Sequence, residues 1–306
     1  MTGSRIPHLD DELRRRLGRR YGRAIEPWLR ELPVILSDLS ERWQVELESL
    51  IQRGSMSVVI LCRAADGRPA VLKVSPDRMR LAGEAAALAR WHTVHVPVVL
   101  AVDESVGALL IEAIEPGTAL AEAAVYPSME DMVALIASLH AEPPDCSYRP
   151  VQDHITYLFD SGEKVYQRKP ELVDLISPEL YERGRQLALQ LAGDSPAPVL
   201  LHGDLTAANV LDGGKQRGLV AIDPAPCLGD PAFDAIDLLF WRAESVEMIA
   251  ARAEQLAPAI GTDPERLLEW CSAFAGMVAL EMAEAPDAFP MRLEPFVALA
   301  SLARQA

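Results

Sequence analysis

The chain has 306 residues, 50% of them hydrophobic and 24% charged, and carries a net charge of −16 from 29 Lys and Arg against 45 Asp and Glu. Such a balance disfavours nucleic acid and anionic membrane as partners, and the length allows one large domain or two lobes. No apolar run is long enough to span a bilayer, the start is polar and basic unlike a signal peptide, and Cys62, Cys146, Cys227 and Cys271 lie far apart with no CxxC pair. The expectation is a cytoplasmic protein with reduced thiols and neither a disulfide framework nor a zinc site. Solubility is enough to explain the charge; attraction of a cationic small molecule is the sharper alternative.

Residues 9 to 31 read as helix, with a basic stripe at Arg14, Arg15, Arg16, Arg19 and Arg20 that is expected to be a solvated face. "QRGSMS" then leads into the β-branched run "SVVILCRA", the turn "ADGRP" and the strand "AVLKV", which together make a hairpin. A helix, "MRLAGEAAALARWH", follows. Two more strands flank a turn at Glu104 to Gly107. The first third is thus a small antiparallel sheet with one internal helix.

After "EPGTAL" the pattern turns helical. Ser128 with Asp131 three places on is a capping-box signature, and Met132, Val133, Leu135, Ile136 and Leu139 share one helical face. Helices continue from 150 to 194. The polar gap "GDSPAP" precedes "LLHGDLTAANVL", the strand "GLVAID" follows it, and the remainder reads as helical. The fold class is α+β, with a β-rich N-terminal lobe over 1–114 and a larger, mostly helical lobe over 115–306.

The stretch "LLHGDLTAANVL" concentrates three polar groups, His202, Asp204 and Asn209, between apolar ends. An aspartate there can orient an attacking hydroxyl and accept its proton. An asparagine oxygen can hold a divalent cation, and Asp223, 14 residues after Asn209, returns beside it if "VLDGGKQRGLVAID" forms a hairpin. One carboxylate and one amide oxygen, completed by phosphate oxygens, make a magnesium site.

The spacing H-x-D-x-x-x-x-N with a later aspartate at a strand end is the catalytic-loop arrangement of kinases of protein-kinase fold. In its full form, "LLHGDLTAANVL…LVAIDPAPCLGDPAFDAIDLL" resembles the aminoglycoside phosphotransferase superfamily, most of all its streptomycin 6-kinase and hydroxyurea kinase branch. The resemblance implies a two-lobed, protein-kinase-like fold and ATP with Mg2+. It implies that Lys73 in "PAVLKV" contacts the ATP phosphates and that Glu84 on the next helix is its carboxylate partner. Gly54, Ser55 and Ser57 become contacts of the phosphate-covering loop, although "QRGSMSVV" has one glycine where protein kinases have three. Glu112, Ala113 and Ile114 become backbone positions for the adenine edge at the junction of the lobes. His202 braces the catalytic loop, and Asp230 and Asp234 tether it to the following helix. Two departures stand out. Thr206 occupies a position where the family often has histidine or another polar residue, and Asp-Pro-Ala at 223–225 replaces Asp-Phe-Gly, which argues against a regulatory switch and a protein substrate.

The region from residue 221 onward holds 14 Asp or Glu against five Arg. Some of these acids form a solvated face; the sharper idea is a wall that receives a cationic acceptor such as a guanidinium sugar. The expected function is ATP-dependent O-phosphorylation of a small molecule, an aminoglycoside of streptomycin type. The alternatives are a kinase for hydroxyurea, an amino sugar or another metabolite, and a catalytically silent nucleotide-binding module. The oligomeric state is not legible.

Overall fold

The computed structural model describes residues 7–52, 56–143, 147–285 and 291–303. The chain divides into two compact units, Met1–Gly117 and Thr118–Ala306.

The first unit opens with two helices where the sequence pattern suggests one. In α1 (Asp11–Tyr21), the Asp10 side chain caps the start by accepting the Leu13 N–H, and Gly22 ends it with a φ of 65° that no helix continues. A single 3-10 turn over Gly22–Ile25 leads to α2 (Glu26–Trp43), which has Pro27 in its first turn. Leu29, Leu32, Leu36 and Leu39 repeat at helical spacing along α2 and are buried with Leu13 and Leu17 of α1. Burying one leucine side chain contributes roughly 1.5–3 kcal/mol, so this stripe makes the two helices an integral part of the unit.

The leucines close over a five-stranded antiparallel sheet. Its strands are β1 (Val45–Leu50), β2 (Val58–Ala64), β3 (Pro69–Val74), β4 (Val99–Asp103) and β5 (Ala108–Glu112), in the order β1-β2-β3-β5-β4. The two-residue period of a strand then decides which side chains leave that core. Ala70, Leu72 and Val74 of β3 join the leucines, so Lys73 between them turns to the opposite face. There it meets α3 (Arg78–Arg90), the internal helix between β3 and β4.

The second unit is mostly helical. Its α4 (Met129–Leu139) has the expected cap: Ser128 Oγ accepts the Asp131 N–H and donates its own proton to the Asp131 carboxylate. Met132, Leu135, Ile136 and Leu139 are buried, with Val133 at the margin of that face. Next come α5 (Val151–Arg168) and α6 (Pro178–Gly193), and then two short antiparallel ladders. In one, β6 (Val199–Leu201) pairs with β9 (Cys227–Gly229); in the other, β7 (Val210–Asp212) pairs with β8 (Leu219–Ala221) around the one-turn helix α7 (Gly214–Arg217). Strand β9 corrects the sequence-based expectation that everything after "GLVAID" is helical. Three residues are too few to show alternation, and β9 forms because it satisfies the backbone groups along the edge of β6.

The unit is completed by α8 (Ala232–Phe240), α9 (Val246–Leu256), α10 (Pro264–Glu284) and α11 (Glu294–Ala300). The central element is α10, against which α5, α6, α8, α9 and α11 pack. Phe274 on α10 meets the rings of Phe159, Phe233 and Trp270. Among the described residues no helix is long and apolar enough to cross a membrane.

Candidate active site

The loop from His202 to Asn209 leaves the end of β6 and is shaped by what holds its backbone. Gly203 has φ +78°, and a Cβ there would lie 2.2 Å from the Ala225 carbonyl oxygen, so the turn requires glycine. Beneath it lies Asp234 of α8, only 2% exposed. Its carboxylate accepts the N–H of His202 at 2.7 Å, the N–H of Gly203 at 2.9 Å and His140 Nε2 at 3.0 Å. Burial pushes this carboxyl up, but the His140 hydrogen bond, the His140 and His202 imidazoles and the Gly203 N–H outweigh it and hold Asp234 below the ordinary carboxylate range. The loop therefore rests on a buried anion that accepts three donors. From another side, His154 of α5 donates Nε2–H to the Gly203 carbonyl at 2.7 Å. Burial, helped by Arg149, lowers the His154 pKa and keeps this ring neutral.

His202 is fully buried and is the brace within the loop. Its Nδ1 accepts the Asp204 N–H at 3.4 Å, and its Nε2 lies 3.1 Å from the Ile222 carbonyl oxygen. An acceptor role at Nδ1 goes with a donor role at Nε2, so the ring links the Asp204 N–H to the Ile222 carbonyl. The Ile222 N–H in turn donates to the Asn209 carbonyl at 2.9 Å, beyond the last pair of the β7–β8 ladder. The backbone of Ile222, the residue before Asp223, thus joins His202 to Asn209.

Asp204 is half-buried, and its Oδ2 accepts Asn209 Nδ2 at 3.0 Å, while the same amide donates to the Asp204 backbone carbonyl at 2.9 Å. That orientation turns Asn209 Oδ1 away from Asp204. Asp223, also half-buried, has φ 62° at the end of the hairpin, a left-handed conformation that aspartate tolerates better than most residues. The donor set of Asn209 Oδ1 and the Asp223 carboxylate suits a hard divalent cation that takes further oxygens from a phosphorylated ligand. Among the described residues there is no cluster of three His, Cys, Asp or Glu side chains that could hold a metal ion.

In the sheet unit, Lys73 Nζ contacts Glu84 Oε1, with the two residues 4% and 0% exposed. Burial makes each charge depend on the other, and the pair fixes the direction of the lysine. Three other expected positions behave differently. Ser57 is 1% exposed, so its hydroxyl is not presented to solvent: the chain has already turned into the sheet before β2 begins. Glu112 and Ala113 donate their N–H groups to Val98 and Pro69 within the sheet, at 2.9 and 3.4 Å, so these donors are committed away from any adenine edge. Ile114 follows β5 with no regular structure assigned, and Gly54 and Ser55 lie outside the described residues.

Asp230 also departs from expectation. Its carboxylate accepts Arg266 Nε of α10 at 2.7 Å and the Ala232 N–H at 2.9 Å, so it anchors the start of α8 to α10 instead of the catalytic loop. The loop's supports at His140, His154 and the Ile222 peptide escaped sequence reasoning. His140 lies 94 residues from Asp234 and His154 49 from Gly203, and Ile222 acts through its backbone. Two further acids matter for charge. Asp237 and Glu281 reach solvent but are crowded by protein on the otherwise largely buried helices α8 and α10. Desolvation, with Asp234 close by, pushes Asp237 up to about 6; desolvation, then Asp237 and Glu284, pushes Glu281 up to about 7.

Residues 42–285 match the family described as aminoglycoside/hydroxyurea antibiotic resistance kinase. A streptomycin 6-kinase of Streptomyces glaucescens is 26% identical over 284 residues, covering 88% of this chain and 89% of that kinase. A hydroxyurea phosphotransferase of Kitasatospora aureofaciens is 29% identical over 255 residues, covering 82% of this chain and 73% of that enzyme. Among solved structures, a macrolide 2'-phosphotransferase type I superposes with a TM-score of 0.56 at 18% identity over 90% of this chain and 97% of the other, a likeness of fold.

Proposed function

This chain belongs to the aminoglycoside/hydroxyurea antibiotic resistance kinases, and from that premise we propose that its acceptor is a cationic aminoglycoside of streptomycin type, phosphorylated by the loop around Asp204. The enzyme is an ATP-dependent kinase acting on a hydroxyl group. Asp204 orients the acceptor hydroxyl and takes its proton as the oxygen forms a bond to the γ-phosphorus. The bond from that phosphorus to the β–γ bridging oxygen breaks, and ADP leaves. Lys73, directed by Glu84, holds the ATP phosphates. Asn209 and Asp223 hold Mg2+, which when bound offsets negative charge on the transferring group. His202 keeps Asp204 and the hairpin in register as a buried brace.

The observation that carries this reading is the Asp204–Asn209 pair at 3.0 Å, with Asn209 tied through Ile222 to the strand end at Asp223. The pair supports a reading in which a base and a cation ligand act side by side in one turn. The cationic acceptor is supported by the 14 acids against five arginines after residue 220. The buried thiols of Cys62, Cys227 and Cys271 suit the cytoplasm, where such an acceptor would be intercepted.

The relative named for hydroxyurea supports a second reading, with a small neutral acceptor. One experiment separates the two: mass spectrometry of streptomycin, other aminoglycosides, amino sugars and hydroxyurea after incubation with enzyme, ATP and Mg2+. A phosphoryl mass gain on streptomycin-like cations is expected. Transfer to hydroxyurea alone would select the second reading, and nucleotide binding without transfer to any member would leave a silent module.

A further inference from the structure

The residues that follow β1 and precede β2, Gln52 and Met56, are both held by α1. At the β1 end, Arg16 donates to the Gln52 carbonyl at 2.9 Å. The Gln52 side chain donates to Asp10 Oδ2 at 2.6 Å, while Asp10 Oδ1 accepts the Leu13 N–H at 2.8 Å and caps α1. At the β2 end, the Tyr21 hydroxyl donates to the Met56 carbonyl at 2.8 Å, and the same carbonyl accepts Ser75 Oγ at 2.9 Å from the end of β3. The helix that supplies these groups is not free to drift, because Leu13 and Leu17 are locked into the core with the α2 stripe and the inner face of the sheet. Arg16, counted in the sequence among a solvated stripe, is thus partly withdrawn from it. Helix α1 also precedes the residues 42–285 matched to the family.

A connection between two strands ordinarily takes its position from the ladder behind it. The last ladder contact here is the Ile51 N–H to the Val59 carbonyl, at 2.9 Å. Beyond it, Gln52 and Met56 are held by side chains from a different element. Ser75, which shares the Met56 carbonyl with Tyr21, is two residues from Lys73 along β3, so the grip is continuous with the strand that carries the lysine.

We propose that Arg16 and Tyr21 are positioning residues for nucleotide binding: they hold the facing ends of β1 and β2 in the setting in which this end of the sheet receives the ATP phosphates. The proposal rests on the reading of Lys73 as the phosphate-binding lysine. Neither residue touches the transferring group, so their loss acts on ATP affinity and leaves the proton transfer at Asp204 as it was.

The test uses the whole protein with Tyr21→Phe, which keeps the ring and removes the one hydroxyl, and Arg16→Gln, with Arg16→Lys as a conservative return of a donor. Losing one such hydrogen bond should raise the KM for ATP roughly 3- to 10-fold, with kcat and the acceptor KM within about twofold of wild type. ADP should lose affinity in parallel, adenosine should not, and Arg16→Lys should recover part of the loss. Lys73→Ala runs beside them. If Lys73→Ala weakens ATP while Tyr21→Phe and Arg16→Gln, folded as judged by melting, leave the ATP KM unchanged, the grip has no role in binding. Equal losses for adenosine and ADP would also overturn it, since the effect would then be general to the sheet. If Lys73→Ala itself leaves ATP binding intact, the underlying reading of the lysine fails, and this proposal with it.

Discussion

Lys73 and Glu84 are eleven residues apart and meet because α3, packed against β4 and β5, lies on the face of the sheet to which Lys73 turns; Asp234 reaches back 31 and 32 residues to hold Gly203 and His202. Both carboxylates are buried. Glu84 holds a mobile cation on a long stem, so it directs a side chain. Asp234 accepts two backbone N–H groups and a histidine, so it sets the course of the main chain. The first arrangement directs one side chain; the second shapes the turn in which Asp204 and Asn209 meet. Removing Glu84 should therefore show in binding, and removing Asp234 in turnover and stability together.

The largest effect is expected where the helical unit's loop delivers its chemistry. Asp204→Ala should lower kcat by roughly 10²- to 10⁴-fold, the range for losing a positioned base, with ATP affinity kept. A kcat near wild type would remove Asp204 from its role. Next, Asp234→Asn should destabilise the fold by about 3–5 kcal/mol, as expected when a buried charge network loses a member, and should lower kcat. Glu84→Gln should mainly raise the KM for ATP. Denaturant melts combined with steady-state kinetics decide this pair, and identical profiles for the two variants would dissolve the contrast between them.

Asp223→Asn should increase the Mg2+ concentration needed for half-maximal activity by several-fold, since a neutral amide binds a hard cation less well. An unchanged Mg2+ titration would place the ligand elsewhere. The smallest effect concerns Glu281, which rises from 4.5 to about 7 because of desolvation first and Asp237 second. The folded chain then keeps a proton that the unfolded chain has released. Stability from this carboxyl is present below about pH 4.5 and is lost as pH rises through about 7. Glu281→Gln should gain in Tm on wild type across that window. A Tm difference that stays constant with pH would show that Glu281 keeps an ordinary pKa.

The arrangement of loop and strand was legible because its residue types are rare together. A buried histidine, an aspartate and an asparagine at one spacing, followed by an aspartate at a strand end, leave few other roles. Lys73 came from the resemblance, which puts a lysine on this strand with a carboxylate partner on the next helix, and the contact with Glu84 is present. What failed to show were the supports. Asp230 and Asp234 sit four residues apart in one segment, yet one joins Arg266 of α10 and the other holds the loop. Their identical chemistry gave no reason to separate them. Ser57 reads as a loop hydroxyl from its neighbours, but it is buried one residue ahead of β2.

Local pattern by itself determined the β-rich first third, the capped helix at Ser128, the strand carrying Lys73 and the polar turn from His202 to Asn209, because helical and strand periods, caps and turn chemistry act over a few residues. Tertiary structure alone decided that α1 and α2 belong to the sheet's core, that β9 completes β6, that His140 and His154 steady the loop, and that Arg16 leaves its solvated stripe for Gln52. The physical reason is range. A hydrogen bond between groups tens of residues apart depends on where packing brings two elements, and no spacing along the chain records that distance.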